Sequence, residues 1–261
     1  MTKKQTLTLV KVGGKVVEEA ETLARLLNDF AAMKGPRLLV HGGGRSATAM
    51  AARLGVETQM VEGRRVTDAE MLQVVTMVYG GLVNKNIVAG LQARGVNALG
   101  MTGADMNIIR SKRRAKGAVD YGFVGDIEQV DGAGLHALLQ AGALPVIAPL
   151  THDGAGQLLN TNADTMASAT AVALSSFYEV TLVYCFELPG VLTDVQDPSS
   201  LIKEIQPAYY QQLKAEGVVA DGMVPKLDNC FAALEQGVSR VRISNVAGLS
   251  DGGPSGTLLR L

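Results

Sequence analysis

The sequence predicts an open, mostly parallel α/β/α sandwich in two lobes. Three observations carry this. Strand-like apolar runs alternate with helical periodicity along the whole chain, the first two strands each end in a glycine loop, and a helix connects them. Such a strand–helix–strand unit calls for parallel pairing with a right-handed crossover.

Leu7-Thr8-Leu9-Val10-Lys11-Val12 reads as the first strand and Gly13-Gly14 as its loop. Val16, Ala20, Leu23, Leu26, Leu27 and Phe30 recur at helical spacing up to Met33, and Gly35-Pro36 stops that helix. Arg37-Leu38-Leu39-Val40-His41 is the second strand, Gly42-Gly43-Gly44 its loop, and a helix follows from about Ser46 to Leu54. Val56 to Val66 reads as a hairpin turning at Glu62-Gly63. Thr67-Asp68 then caps a long helix reaching about Arg94, bent at Gly80-Gly81.

A strand at Val96–Met101 leads into short antiparallel strands between Asn107 and Val130, around a basic turn. Helix Gly132–Gln140 and strand Leu144–Pro149 follow. Gln157–Asn160, a loop or short strand, feeds a helix from Ala163 to Ser175. Beyond it come strand Val180–Cys185, a turn at Pro189-Gly190, helices Pro207–Glu216 and Val224–Gln236, and strands at Val241–Ser244 and Thr257–Leu261. A lobe boundary near Ser175–Glu179 divides the chain into residues 1–176 and a smaller lobe of 177–261.

The 261 residues can bury roughly 70–75% of the surface of an unfolded chain. With 24 basic and 25 acidic residues, no global field favours nucleic acid or a membrane surface. Met1 to Gln5 is too short and polar for a signal peptide, and no uninterrupted run of about 18 apolar residues is present. Cys185 and Cys230 have neither metal-ligand nor CxxC spacing, which suits reduced thiols in the cytoplasm. His41, His136 and His152 lack the mutual spacing of a metal site, and no metal-binding residues are expected.

Lys11 interrupts an apolar strand, so its ammonium needs an anion, either a carboxylate or a ligand phosphate, unless it snorkels to water. The neighbouring glycine loops let backbone N–H groups approach an anion closely. Gly42 to Ala47 also fits the loose dinucleotide fingerprint, with Glu62 at the acidic position, and an NAD-dependent oxidoreductase is the rival reading. It leaves Lys11 and Gly13-Gly14 without a role. Asn160-Thr161-Asn162-Ala163-Asp164 could simply cap a helix or could orient a substrate and lysines. Lys226 lies in the first turn of a helix, where a cation is disfavoured unless an anion is near, although a surface lysine also fits. The basic run Arg110, Lys112, Arg113, Arg114, Lys116 reads as a solvated turn.

Lys11-Val12-Gly13-Gly14, Val40-His41-Gly42-Gly43-Gly44, Gly63-Arg64-Arg65-Val66-Thr67, Asn160–Asp164 and Gly222-Met223-Val224-Pro225-Lys226 together resemble the amino acid kinase family along nearly the whole chain. The resemblance implies ATP-dependent phosphorylation of the γ-carboxylate of an N-acyl-L-glutamate, N-acetyl first, in arginine biosynthesis. N-succinylglutamate, carbamate, glutamate or UMP are the alternative acceptors. A catalytically dead sensor is a further alternative, against which Lys11, Asp164 and Lys226 are all present.

By the same resemblance Lys11 and Lys226 stabilise the transferring phosphoryl group and Asp164 orients them. Gly43, Gly44, Arg65 and Asn160 hold the acylated amino acid. Gly13, Gly14, Glu187, Leu188, Pro189, Gly190, Val191, Leu192, Val218, Val219 and Ala220 contact the nucleotide. Gly13-Gly14 and Gly43-Gly44 amides would touch phosphate oxygens, and Mg²⁺ would ride on the ATP phosphates. The first lobe would bind the amino acid and dimerise, and the second would bind nucleotide. The family usually carries a small hydroxyl residue and Asp where this chain has Phe186-Glu187. Arginine-inhibited members have an additional N-terminal helix, so a homodimer insensitive to arginine is expected. The basic run Arg110–Lys116 could serve the extra carboxylate of a succinyl group.

Overall fold

The first apolar run forms strand β1 (Thr6–Val12), which sits near the middle of an eight-stranded sheet. The computed structural model describes residues 4–61, 63–219, 223–252 and 255–261. After β1 come α1 (Gly14–Glu18), α2 (Ala20–Ala32), β2 (Arg37–His41), α3 (Gly44–Leu54) and the small pair β3 (Met60–Val61) and β4 (Arg64–Arg65). Next are α4 (Ala69–Val75), a π-helical stretch Thr76–Val83, α5 (Asn84–Gln92), β5 (Ala98–Met101), β6 (Ile109–Arg113) and β7 (Gly125–Val130). Then follow α6 (Gly132–Gln140), β8 (Leu144–Ile147), β9 (Leu150–His152), β10 (Leu158–Asn160) and α7 (Ala163–Leu174). The last part holds β11 (Glu179–Phe186), β12 (Glu204–Ile205), α8 (Pro207–Ala215), α9 (Met223–Glu235), β13 (Arg240–Asn245) and β14 (Thr257–Leu259).

The main sheet runs β12-β14-β13-β11-β1-β2-β8-β5, and every neighbouring pair is parallel except β13 with β14. The expected open, mostly parallel sandwich is therefore present. A second sheet, β10-β9-β6-β7, carries the antiparallel hairpin expected around the basic turn. No gap in the main sheet marks residues 175–179, because β11 pairs directly along β1.

Two apolar cores cover the two sheet faces. Alternation along β1 sends Leu7 and Leu9 to one core, with Met166 of α7 and Leu227 of α9, and Val10 and Val12 to the other, with Phe30 of α2 and Ile87 of α5. By that parity Lys11 belongs to the face of Leu7 and Leu9.

Departures from the sequence reading have local causes. The helix expected from Val16 to Met33 breaks at Glu19, which is extended (φ −84°, ψ 113°), so α1 turns and its Glu18 Oε1 accepts from Ser46 N at 2.7 Å and Ser46 Oγ at 3.0 Å. Where a bend was expected at Gly80-Gly81, the helix widens into its π-helical stretch instead. Within the helical segment from Ala69 to Gln92 an 18-residue stretch reaches a mean hydropathy of 1.3, enough by length and composition for a membrane span, although polar residues interrupt it. Met71, Val75, Val78, Ile87 and Leu91 are buried in the second core, as in a core helix. Strands β9 and β12 are too short for their alternation to register in sequence.

Gly122 joins the second sheet to the start of α4. Its φ is +72°, and an added Cβ would stand 2.2 Å from the carbonyl oxygen of Thr67. Gly122→Ala is expected to lower stability by roughly 2 kcal/mol or more through strain and backbone collision. Urea unfolding of the variant beside the wild-type chain checks this.

Candidate active site

The site lies where β1, β2 and β11 end. Strand order reverses around β1, and the crevice beyond the carboxyl ends of strands at such a point is where open α/β sheets bind ligands. Lys11 is one residue from the end of β1, on the face that α7 covers. Its ammonium is 2.6 Å from Asp164 Oδ1, and its residue is buried. The contact is close but off the line of a hydrogen bond, so its content is a charge pair in a poorly solvated place. The snorkelling alternative for Lys11 does not hold.

Asp164 is free for this pairing because Asn162 does the capping: its Oδ1 accepts from the backbone N–H of Asp164 at 2.9 Å and of Thr165 at 3.0 Å. Lys226, in the first turn of α9, arrives from the other side. Its Nζ lies 4.1 Å from the ring centroid of Phe186, and Lys11 Nζ lies 5.1 Å from the same centroid. The two lysines, from opposite ends of the chain, thus meet at one ring. Among the described residues no carboxylate pairs with Lys226.

The glycine loops touch each other. Gly42 N–H donates to Val12 O at 2.9 Å, and a Cβ built on Gly14 would stand 3.6 Å from Gly44 N and 3.8 Å from Gly43 N. Side chains there would fill the space that an anion needs. Gly13 gives its own N–H to Cys185 O at 3.3 Å, which leaves Gly14, Gly43 and Gly44 as the amides facing the crevice. The rival dinucleotide reading fares poorly here, since the Glu18 carboxylate already holds the N–H of Ser46 in the first turn of α3. Its acidic position, Glu62, lies outside the described residues.

Arg65 comes from β4 and is 7% exposed. Its Nη2 donates to Gly44 O at 2.8 Å and Thr48 Oγ1 at 2.8 Å, and its Nη1 donates to Thr58 Oγ1 at 3.3 Å. These acceptors are neutral, and among the described residues no carboxylate pairs with the guanidinium. Asn160 Nδ2 donates to Thr67 Oγ1 at 2.9 Å, and Thr67 Oγ1 donates to Arg65 O at 3.1 Å. Gly43, Gly44, Arg65 and Asn160 line one cavity of about 200 Å³ with Tyr79 and Val124. Tyr79 packs so closely that a Cβ on Gly43 would meet its Cδ1 at 3.0 Å. Burial raises the pKa of the Tyr79 hydroxyl, and the neighbouring Arg65 opposes that rise.

A second cavity, of about 240 Å³, is lined by Gly13, Gly14, Phe186, Glu187, Leu188, Gly190 and Lys226, among others. Glu187 reaches Lys15 at 3.9 Å and Arg45 at 3.8 Å, loose exposed pairs that lean over both glycine loops. Of the other residues expected around nucleotide, Pro189 is half-buried and Val218 packs against the core, while Val191, Leu192 and Val219 are buried. Ala220 lies outside the described residues. The basic run does not reach the acyl cavity. Arg114 is paired with Asp126, Lys116 with Asp120 at 2.6 Å and Lys112 with Glu128 at 3.9 Å, so the expected service to a succinyl carboxylate finds no support in its placement.

The model of the amino acid kinase family matches residues 6–245. The chain belongs to the amino acid kinase family. It is 62% identical over 251 residues to an acetylglutamate kinase of Bacteroides fragilis, covering 96% of each chain. It is 42% identical to an acetylglutamate kinase of Methanopyrus kandleri, covering 97% of this chain and 100% of that one. The fold is shared with N-acetylglutamate synthase from Neisseria gonorrhoeae solved with coenzyme A and N-acetyl-glutamate (TM-score 0.81, 24% identity). That alignment covers 99% of this chain and 60% of the longer protein.

In this amino acid kinase, residues given no role by the sequence also border or brace the site. Tyr79 and Thr48 belong to the Arg65 pocket, but Tyr79 falls in the π-helical stretch, where the ordinary helical period gives the wrong face. His41 is fully buried. Its Nδ1 donates to Gly42 O at 2.7 Å and its Nε2 accepts from Asn84 Nδ2 at 3.1 Å, so the neutral ring steadies the second glycine loop. Burial lowers its pKa to about 4, with the Gly42 carbonyl opposing and the Lys85 charge assisting. Cys185 and Cys230 are free and buried, and burial pushes the Cys185 thiol up to about 12.

An unfolded histidine titrates near 6.5 and folded His41 near 4, so the unfolded chain binds the additional proton between these values. Stability should therefore fall as pH drops through that window, by up to about 1.4 kcal/mol per pH unit. Urea unfolding at pH 7 and 4.5, with wild type and His41→Gln compared, reads this. Equal losses in both chains would place the effect elsewhere.

Proposed function

We propose that the chain transfers the γ-phosphoryl group of MgATP to the γ-carboxylate of N-acetyl-L-glutamate, giving an acyl phosphate in arginine biosynthesis. The observation that carries this is the buried Arg65 guanidinium, which is ringed by neutral oxygens and opens on a cavity next to the paired lysines. A buried cation without a protein counterion calls for an anionic ligand, and the α-carboxylate of an amino acid supplies one. The 62% identity to an acetylglutamate kinase supports the choice of acyl amino acid.

The γ-carboxylate, with a pKa of about 4.3, is ionised at neutral pH, so no general base is required. One of its oxygens attacks the γ-phosphorus while the bond to the β–γ bridging oxygen breaks, and that electron pair leaves with ADP. The protein must bring two anions together in line and neutralise the charge spread over the phosphoryl oxygens. Lys11 and Lys226 serve that purpose with the amides of Gly14, Gly43 and Gly44, and Asp164 holds Lys11 in place. Mg²⁺ travels on the ATP phosphates. Arg65 and Asn160 orient the acylated amino acid, and the cavity beside Glu187, Leu188 and Gly190 takes the nucleotide.

The amino acid then belongs to residues 1–176 and the nucleotide to 177–261, with catalysis at the join. The enzyme acts in the cytoplasm as a homodimer. Its contact face is the free edge of β5, where Leu99 is exposed, and the adjoining helix, where Met77 and Leu82 are exposed.

ADP release and trapping of the acyl phosphate as a hydroxamate test the activity. Absence of both with N-acetylglutamate and ATP would overturn it. Lys11→Ala and Lys226→Ala should each lower kcat roughly 10²-fold or more. Arg65→Met should act chiefly by raising KM for N-acetylglutamate, and steady-state kinetics separate the two effects.

A further inference from the structure

We propose that Phe186 is a positioning residue for both lysines, its aromatic face holding Lys226 and Lys11 around the path of the phosphoryl group. This rests on the kinase reading above. Parallel register puts Tyr184 beside Lys11, and Phe186 stands one pleat further along β11 on that same face. Its ring lies parallel to that of Tyr184: the planes differ by 3° and the centroids are 6.0 Å apart. Stacking on a buried tyrosine fixes the orientation of a half-buried ring at the end of the strand.

Both ammonium groups are within the range at which the negative face of an aromatic ring attracts a cation, Lys226 at 4.1 Å and Lys11 at 5.1 Å. The two charges repel each other, and Asp164 makes its close ion pair with Lys11. Lys226 has the ring. An aromatic face is a weak, broad and neutral partner, so it can gather the lysine without competing for it as a carboxylate would. Phosphoryl oxygens arriving between the two ammonium groups would take over from the ring.

Phe186 also lines the nucleotide cavity and a small enclosed space that holds Asp164, Tyr184 and Lys226. It is therefore placed to sense both the triphosphate and the ion pair. Phe186→Leu keeps apolar bulk and removes the ring. It should lower kcat about tenfold, leave KM for N-acetylglutamate within about twofold, and leave the melting temperature near that of the wild type.

Replacing Phe186 by mono-, di- and trifluorinated phenylalanine weakens the ring face in steps at nearly constant shape, and log kcat should fall in step. A ring that served only as packing would give a flat series. A readout independent of turnover is the ¹³C signal of reductively dimethylated lysines, assigned with Lys11→Arg and Lys226→Arg. Ring-current displacement of both signals in the full chain, lost in Phe186→Leu, is expected. Undisplaced signals in the wild type, or wild-type kcat in Phe186→Leu, would overturn the proposal. A wild-type chain that turns over no N-acyl glutamate yet shows displaced signals would instead overturn the kinase reading and leave the gathering of the lysines by the ring in place.

Discussion

A charged side chain in a strand packed on both faces is the constraint on which the site depends. Lys11 shares its sheet face with Leu7 and Leu9, so its ammonium must either reach water or find an anion beneath α7. The strand ends one residue later, and α7 begins where its second residue, Asp164, can meet the lysine. Moving β1 by a single residue would send Lys11 to the opposite core and away from Asp164. Parallel pairing with β2 and β11 then brings the two glycine loops and Phe186 to the same end of the sheet. Fold and site are one problem here, solved by one register.

The electrostatic design divides the positive charges by their partners. Lys11 has a carboxylate, Lys226 has an aromatic face, and Arg65 has a ring of neutral oxygens. Strong partners would make each cation a structural fixture. Weak ones keep its field available to a ligand, at some cost in folding stability. Such a division suits a reaction whose difficulty is the mutual repulsion of two anions, with no proton to move.

Much of this was legible in the residues. Apolar alternation and glycine punctuation mark most strands and helices, and four of the five short motifs carry Lys11, Arg65, Asn160, Asp164 and Lys226. What stayed hidden were features with no periodic signature. The break at Glu19 depends on Glu18 reaching Ser46, a partner 28 positions away. Tyr79 enters the Arg65 pocket only because the helix changes pitch around it. Asn162 and Asp164 look alike as caps, and only the geometry shows that the first caps and the second pairs with lysine. Val191, next in sequence to the cavity residue Gly190, turns out to be core, as does Val219.

The widened helix between Thr76 and Val83 has a consequence for how this segment can vary. It lies between α4, which begins at the Asp68 cap beside Arg65, and α5, whose Asn84 braces His41. Its wider turns hold one residue more than an ordinary helix would, so deleting one residue there would restore the ordinary spiral with α4 and α5 still facing as they do. Asn84 would keep its place beside the imidazole and Ile87 and Leu91 theirs in the core, while Tyr79, carried on the widened turn, would shift away from Gly43. A single-codon deletion in this stretch would thus spare the scaffold and be felt at the pocket wall, whereas the same deletion within α5 would turn the residues beyond it by roughly 100° and put them out of phase.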